Sequence, residues 1–173
     1  MQIREMLPND LSAIARVNVD SFRGTQQGIV PDTLINELSY EKAEQRFQRM
    51  LKNTERLSVI FVAEHDGSVV GYAMAGLARE EVNNYQGELY GIYILPKHHG
   101  KGIGRHLMNA VAMCLRKQRV DSMFVWVFSE NLSARRFYEA LGGQRVHERT
   151  IAIDGKDVRE TAYGWVSVGD LLD

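Results

Sequence analysis

The sequence predicts a mixed α/β fold with helices on both faces of a β-sheet. Two runs of alternating apolar residues are interrupted by Asp66-Gly67 and Asp154-Gly155, pairs that are typical of β-hairpin turns. Between them, Glu88–Leu95 is apolar on both alternating sets apart from its first residue, as expected of a strand covered on both faces. Segments of helical period precede the first hairpin and separate the later strands. Together these patterns favour three layers, with the sheet in the middle.

The first fifty residues are mainly helical after a short predicted strand at Ile3–Met6. Pro8-Asn9-Asp10 opens a helix whose apolar residues keep helical spacing to about Phe22. A loop is predicted over Gly24–Pro31. One or two helices with charged outer faces are predicted over Asp32–Leu51.

The remaining elements alternate strands with helices and end in the second hairpin. The predicted strands are Val59–Ala63, Val69–Ala75, Glu88–Leu95, Met123–Phe128, Arg145–Ile153 and Val158–Val166, and the predicted helices are about Gly102–Gln118 and Asn131–Leu141. Asn131 is a candidate N-cap of the last helix, and Gly142 is placed where a helix often ends in a left-handed residue.

Composition limits the class of protein. The chain has 173 residues, 45% hydrophobic and 25% charged, which suits one globular domain spanning residues 1–173. The net charge of -1 provides no broad basic field for nucleic acid. No apolar run has the length of a signal peptide or of a membrane span, which needs about 18 residues, so no membrane association is expected and the expected location is cytoplasmic.

Neither the single cysteine nor the five histidines indicate a reactive or metal site. Cys114 shares a helical face with Leu107 and Val111, which predicts a buried thiol rather than a nucleophile, because an apolar surrounding raises a thiol pKa. The histidines form no HExxH motif and no Cys/His cluster, so no metal is expected. The GxSxG and GxxxxGK[ST] signatures of hydrolases and P-loop proteins are also missing from the sequence.

The stretch Pro96–Gly104, PKHHGKGIG, joins a predicted strand to a predicted helix and has glycine at three alternate positions. A dinucleotide fingerprint needs GxGxxG, and Gly100, Gly102 and Gly104 fail its third spacing. The first N–H groups of a helix lack intrahelical partners, and bare glycines let a pyrophosphate approach them closely. The spacing therefore leaves two interpretations open, a phosphate site and a glycine-rich turn without a ligand.

Two motifs resemble those of the GNAT superfamily of N-acetyltransferases. His99–Gly104 resembles the acyl-CoA loop of that superfamily, Arg/Gln-x-x-Gly-x-Gly/Ala, with His99 where Arg or Gln is usual. Asn131–Gly143, NLSARRFYEALGG, resembles its N-x-x-A-x-x-F-Y-E-x-x-G-F stretch, with Gly143 where Phe is common. The order of elements from Ile3 to Val166 also agrees, so the resemblance covers nearly the whole chain.

The resemblance implies an α/β (α+β) fold with a mixed, mostly antiparallel sheet of six or seven strands. It implies transfer of an acetyl group from acetyl-CoA to a primary amine of a small molecule or peptide, by direct attack in a ternary complex. The resemblance also implies a homodimer, since dimers are common in the family. The alternative is a CoA-binding sensor or interaction domain without turnover, and the retained Glu88 and Tyr138 favour the enzyme.

The resemblance also implies how the cofactor is held. A bulge is expected to separate Glu88–Leu95 from Phe124–Phe128, so that the pantetheine arm enters the gap and pairs with backbone. Asn131 matches the asparagine that bonds the cofactor arm, although a plain N-cap would explain it as well. The cofactor-binding residues implied in this way are Ile92, Ile94, His99, Gly100, Lys101, Gly102, Ile103, Gly104, Arg105, Asn131 and Tyr138. Backbone N–H groups near Ile94 would also stabilise the oxyanion.

Two residues are candidates for acid–base catalysis. Tyr138 lies on an inward helical stripe with Ala134 and Leu141, where it is either the acid that protonates the leaving thiolate or a core tyrosine with a backbone partner. Glu88 begins the strand that leads to the glycine loop, and it matches a family glutamate that acts as a base through water. The alternative for Glu88 is an ordinary solvated glutamate at a strand end.

The acceptor site is the least defined part of this interpretation. Phe22, Arg23 and Tyr85 are placed where the family lines its acceptor cleft, and simple loop packing is the alternative for each of them. Trp126 alternates with two phenylalanines along its strand and is interpreted as a core residue. Polyamines, amino acids, aminoglycosides and protein N-termini are all acceptors within the superfamily, and no motif in this sequence selects among them.

Overall fold

The chain forms a β-sheet of seven strands with helices packed on both faces. The computed structural model describes residues 1–52 and 58–172. In that part of the chain the strands are Gln2–Glu5 (β1), Ser58–His65 (β2), Ser68–Leu77 (β3), Gly87–Ile94 (β4), Met123–Phe128 (β5), Gln144–Ile153 (β6) and Lys156–Trp165 (β7). The order across the sheet is β1-β2-β3-β4-β5-β7-β6, and β4 with β5 is the one parallel pair among the described strands. The predicted mixed, mostly antiparallel sheet is confirmed.

The helices agree with the prediction in number and differ from it in their ends. They are Leu11–Gln26 (α1), Asp32–Glu37 (α2), Tyr40–Lys52 (α3), Ile103–Lys117 (α4) and Leu132–Ala140 (α5). The predicted loop from Gly24 was wrong at its start, because α1 continues through Gly24 to Gln26. A glycine costs about 1 kcal/mol inside a helix, and the packing of α1 against β3 and β4 outweighs that cost. No helix of the described residues is both long and apolar enough to cross a membrane.

Strand β3 contributes to the core on both faces of the sheet. Tyr72 and Met74 pack with α1 and with Phe47 of α3, whereas Ala73 and Ala75 pack with α4. Successive side chains of a strand point to opposite faces, so this alternation is that of a strand covered on both sides. On α4, Cys114 is half-buried rather than fully buried, and burial raises the pKa of its thiol.

Both predicted hairpins are confirmed. Asp66 and Gly67 have φ values of 51° and 72°, and Asp154 and Gly155 have φ values of 47° and 79°. Two consecutive residues with positive φ define the type I′ turn, whose twist matches that of the flanking strands. The turns join β2 to β3 and β6 to β7.

The central pair of strands diverges soon after it begins. Gly87 lies opposite Met123 and Glu88 opposite Phe124, and these are the paired residues of β4 and β5. The register of β4 against β3 shifts so that Tyr90 is an extra residue, which is a β-bulge. Beyond these residues a gap opens between the two strands toward their carboxyl ends, as the resemblance implied.

Candidate active site

A cleft of about 630 Å³ occupies the gap between β4 and β5. The glycine loop and the first turn of α4 line one part of it, α5 lines another, and the end of α1 closes a third side. Most of the predicted cofactor-binding residues therefore meet in one place: Ile92, Ile94, His99, Gly100, Gly102, Ile103, Gly104, Arg105, Asn131 and Tyr138 line this cleft.

The glycine loop has a backbone that needs glycine. Gly100 and Gly102 have φ values of 72° and 77°, in the left-handed region that L side chains rarely adopt. A Cβ at Gly100 would meet no atom within 4 Å, so the loop borders open space on that side. The helix α4 begins at Ile103, and the N–H groups of its first turn have no intrahelical acceptor. These donors and the positive end of the helix dipole form a site suited to an anion.

Lys101 is not part of the cleft wall. Its side chain is exposed and lies outside the residues that line the cleft, and its predicted contact with the cofactor stays a prediction. His98 lines the cleft instead, and burial, followed by the charge of Lys101, lowers the pKa of its imidazole. Nδ1 of His98 is buried without a partner among the described residues. The motif position falls on His99, and no pattern in the sequence indicates that the preceding His98 also lines the cleft.

His99 has a structural role at the start of the glycine loop. Its Nε2 lies 2.8 Å from the backbone oxygen of Ile94, at the end of β4. A carbonyl oxygen only accepts, so Nε2 carries the proton and donates. This hydrogen bond ties the start of the loop to the end of β4.

The backbone of β4 presents N–H groups and carbonyl oxygens to the gap, of which the Ile94 oxygen is bonded to His99. The Leu95 N–H donates to the Val70 oxygen on β3 at 2.9 Å. Backbone groups of alternate residues in an antiparallel strand point to the same side, so those of Ile92 and Ile94 point away from β3 and toward the gap. Both residues line the cleft, as predicted.

Asn131 is an N-cap that also lines the cleft. Its Oδ1 accepts from the Ala134 N–H at 3.1 Å and so satisfies a donor in the first turn of α5. The cap uses Oδ1 and leaves Nδ2 available as a donor. Both roles considered for Asn131 are therefore compatible with the structure.

Tyr138 is 5% exposed and lies on the face of α5 that borders the cleft. Its ring packs against Phe137, Tyr163 and Trp165, with centroid distances of 5.4, 6.0 and 6.1 Å. Across residues 1–52 and 58–172 the Tyr138 hydroxyl has no hydrogen-bond partner, which disfavours the interpretation as a core tyrosine bonded to backbone. Burial, with a smaller contribution from Tyr93, raises the pKa of Tyr138 well above its usual value near 10.

The position of Glu88 rules out the solvated strand-end glutamate, and its role as a base acting through water stays a prediction. Its side chain is 2% exposed, so it is not a solvated strand-end glutamate, and it does not line the cleft. The carboxylate accepts three hydrogen bonds from Arg79, from the backbone N at 3.0 Å, Nε at 3.1 Å and Nη2 at 2.5 Å. A carboxylate that is enclosed and fully engaged in this way is poorly placed to take a proton from an acceptor in the cleft.

Of the three predicted acceptor residues, one lines the cleft and two do not. Phe22 lines the cleft. Arg23 does not, because its guanidinium turns away and donates to the Leu38 oxygen at 2.7 Å. Tyr85 packs against the sheet, where its ring lies so close to Gly164 that a Cβ there would collide with it. For Arg23 and Tyr85 the alternative of local packing is the better description.

Sequence reasoning missed most of the polar wall on the acceptor side. Arg79, Tyr90, Trp126, Arg149 and Glu160 line the cleft together with Gln26. Trp126 was interpreted as core because it alternates with phenylalanines, and the divergence of β4 from β5 exposes that strand to the cleft instead. Arg149 and Glu160 belong to the hairpin β6–β7, and they face each other across it.

The fold and the cleft define a protein of the acetyltransferase class, and comparison with known proteins agrees. Residues 26–143 match the sequence profile of the acetyltransferase (GNAT) family. The uncharacterized N-acetyltransferase YuaI of Bacillus subtilis is 37% identical over 170 residues, covering 98% of this chain and 95% of YuaI. An uncharacterized N-acetyltransferase of Archaeoglobus fulgidus is 30% identical over 147 residues, covering 80% of this chain and 89% of that protein. The chain therefore belongs to the GNAT acetyltransferase family.

Solved structures agree on the fold. An N-acetyltransferase from Staphylococcus aureus Mu50 matches with a TM-score of 0.75 and 19% identity, covering 96% of this chain and 98% of that one. The PaiA N-acetyltransferase of Thermoplasma acidophilum, in complex with coenzyme A, matches with a TM-score of 0.69 and 21% identity, covering 92% of this chain and 96% of that one.

Proposed function

We propose that the chain is an acetyl-CoA-dependent N-acetyltransferase that acts on a primary amine of a small molecule or peptide. The observation that carries this proposal is one cleft lined both by the glycine loop at the start of α4 and by Tyr138 on α5. Membership of the family supports acetyl transfer. The coenzyme A complex of the Thermoplasma protein, which shares the fold, supports a CoA-type co-substrate.

The residues of the cleft fit such a co-substrate. A diphosphate needs N–H donors and a close approach to backbone, and the left-handed Gly100 and Gly102 with the first turn of α4 offer both. Arg105, in that first turn, adds a positive charge to the wall. The backbone groups of Ile92 and Ile94 suit the amides of a pantetheine arm, which would pair with β4 like an added strand.

The protein's own groups can support direct transfer with both substrates bound. Acetyl-CoA, when bound, supplies a thioester: its carbon–sulfur bond breaks as the amine nitrogen bonds to the acetyl carbon, the amine loses one proton and the sulfur gains one. We assign stabilisation of the carbonyl oxygen to N–H groups of Ile92 and Ile94. We assign the proton donor to the Tyr138 hydroxyl, whose raised pKa keeps it protonated at neutral pH.

Glu88 acts indirectly in this proposal. Its carboxylate is engaged by Arg79 and lies outside the cleft wall, so we propose that it holds Arg79 in position and that the amine loses its proton to water in the cleft. This replaces the base that the resemblance implied with a positioning residue.

Release of free thiol from acetyl-CoA across a panel of amines tests the proposed function. We expect release that depends on an amine and product that carries the acetyl group, detected by mass spectrometry. Acetyl-CoA that raises the melting temperature, without amine-dependent thiol release for any compound, would instead identify a CoA-binding sensor.

A further inference from the structure

Two guanidinium groups flank the gap on the face of the sheet opposite α4 and α5. The Arg79 guanidinium lies 4.6 Å from the ring centroid of Tyr90 on β4, and that of Arg149 lies 3.9 Å from the ring centroid of Trp126 on β5. Tyr90 packs with the α1 core, and Trp126 packs with the cluster around Phe124, both away from the α4 core. The last paired residues of the two strands are Glu88 and Phe124, and each ring belongs to a residue just beyond that pair. The two cations therefore stand on opposite sides of the point where the strands part.

Carboxylate groups hold each guanidinium in a fixed orientation. Glu88 binds Nε and Nη2 of Arg79, and its own side chain is 2% exposed while that of Arg79 is 50% exposed. Glu160 binds Nε of Arg149 at 2.7 Å, and Glu80 binds Nη1 at 2.6 Å. Glu80 also accepts from Trp126 Nε1 at 2.9 Å, which fixes the ring beneath Arg149. An arginine with its fork oriented in advance loses little entropy when it binds a further anion.

The two arginines keep donors for a ligand. Nη1 of Arg79 and Nη2 of Arg149 have no partner within residues 1–52 and 58–172. Among those described residues Glu160 is the one carboxylate of the cleft wall, and it is already paired with Arg149. Three carboxylates, Glu88, Glu160 and Glu80, balance the charges of the two arginines, so net charge does not select the ligand. The two remaining guanidinium N–H groups suit a carboxylate, which accepts hydrogen bonds from both.

The same cleft also contains an acceptor that needs a donor. Gln26 is 7% exposed and lines the cleft, and its Oε1 has no hydrogen-bond partner among the described residues. A buried carbonyl oxygen without a donor is unfavourable because it has lost its hydrogen bonds to water, and an N–H group of a ligand would restore one. The wall thus offers cationic donors for an anion and a neutral oxygen for an N–H.

From this arrangement we propose that the acceptor is a small amine that carries a carboxylate, such as a free amino acid. Its carboxylate binds between Arg79 and Arg149, and an N–H of the molecule reaches Gln26 Oε1. The acceptor then enters from the face opposite the glycine loop and Tyr138, and its amine meets the co-substrate in the gap. This inference rests on the proposed function and adds the class of its acceptor.

The test measures how fast the wild-type protein acetylates compounds that differ only in the carboxyl group. Each standard amino acid is assayed beside its α-amide and beside the amine that lacks the carboxyl group, with thiol release as the readout. We expect kcat/KM for the best amino acid to exceed that of its amide by about 10-fold or more, as for charge-assisted hydrogen bonds worth about 1.5–3 kcal/mol. Equal or better turnover of amides and simple amines would overturn the carboxylate site and leave the acetyltransferase activity standing. Failure to acetylate any amine would overturn both.

Variants then locate the site. Arg149→Gln and Arg79→Gln are each expected to bring the acid-to-amide ratio close to 1, mainly through KM for the acid. Arg145→Gln is the matched control, because Arg145 lies on the same strand in an exposed ion pair with Glu148, outside the cleft wall. Thermal unfolding is measured for every variant. A ratio unchanged in both arginine variants, with folded protein, would contradict the assignment.

Discussion

The ring of Phe137 on α5 lies directly against Gly104 on α4. A Cβ on Gly104 would be 2.8 Å from Phe137 Cε2 and 2.9 Å from Cζ, closer than real Cβ contacts. The third glycine of the loop therefore lets two helices meet, whereas Gly100 and Gly102 supply the left-handed backbone. This contact joins the helix that carries the anion site to the helix that carries Tyr138.

Replacing Gly104 should consequently damage both stability and cofactor binding. We expect Gly104→Ala to lower the free energy of unfolding by about 1–2 kcal/mol, because the ring must move or the helices must separate. Acetyl-CoA affinity should fall in parallel, since the first turn of α4 shifts. Denaturant unfolding and calorimetric titration with acetyl-CoA measure the two effects.

Gly24→Ala is the control for that substitution, because Gly24 is also a helical glycine. A Cβ there would meet only Pro96 Cγ, at an ordinary 3.5 Å. Alanine is favoured over glycine inside a helix by about 1 kcal/mol, so Gly24→Ala should raise stability. The two substitutions should thus have opposite signs. Stabilisation by Gly104→Ala would show that the contact is unimportant.

The donor of His99 can be tested with a pair of substitutions. His99→Gln retains an N–H that can reach the Ile94 oxygen, and His99→Leu does not. Losing one hydrogen bond costs about 1 kcal/mol, so we expect His99→Leu to lower the free energy of unfolding by about that amount in denaturant unfolding. The stability of His99→Gln should remain near that of the wild type. Equal stability of both variants would remove this role from His99.

The sequence predicted those parts of the molecule that depend on local chemistry. Asp-Gly pairs select the type I′ turn with their own backbone preferences, and both hairpins were located from Asp66-Gly67 and Asp154-Gly155. The glycine loop and the cap at Asn131 are local in the same sense. Most residues in the cofactor half of the cleft could therefore be selected from the sequence, because local motifs identify them.

The acceptor half depends on contacts between distant parts of the chain. Glu88 was interpreted as a base acting through water, with a solvated strand-end glutamate as the alternative, because no local pattern shows that Arg79 folds back over it. Arg149 is brought to Trp126 only by the pairing of β6, β7 and β5, and no spacing in the sequence encodes that meeting. Residues that are placed by sheet register and by a bulge cannot be selected from periodicity alone.

Measuring stability and turnover together tells a positioning role of Glu88 apart from a role as the base. We expect Glu88→Gln to lower the free energy of unfolding by about 1–3 kcal/mol, because its amide nitrogen cannot accept from Arg79 and leaves a donor without a partner. Glu81→Gln is the matched control, since Glu81 is an exposed glutamate in the loop that precedes β4. If Glu88 were also the base, kcat would fall by orders of magnitude in addition to the loss of stability.

Removing the Tyr138 hydroxyl should affect turnover with little change in folding or in cofactor affinity. The hydroxyl has no hydrogen-bond partner among the described residues, so Tyr138→Phe leaves no broken contact behind. We expect kcat to fall by about 10²-fold, the lower part of the range for a lost general acid. Calorimetric titration with acetyl-CoA and denaturant unfolding should give values close to the wild type. Unchanged kcat would exclude Tyr138 as the proton donor.

The pH dependence of kcat gives a further check on Tyr138. Because burial raises its pKa above the usual value near 10, the hydroxyl stays protonated as the pH rises through about 10, where a solvated tyrosine is half ionised. The wild-type profile should therefore show no decline between about pH 9 and 10 that is absent from the profile of Tyr138→Phe. Such a decline, present in the wild type and absent in the variant, would mean that Tyr138 titrates in that interval, which is incompatible with a pKa raised by burial.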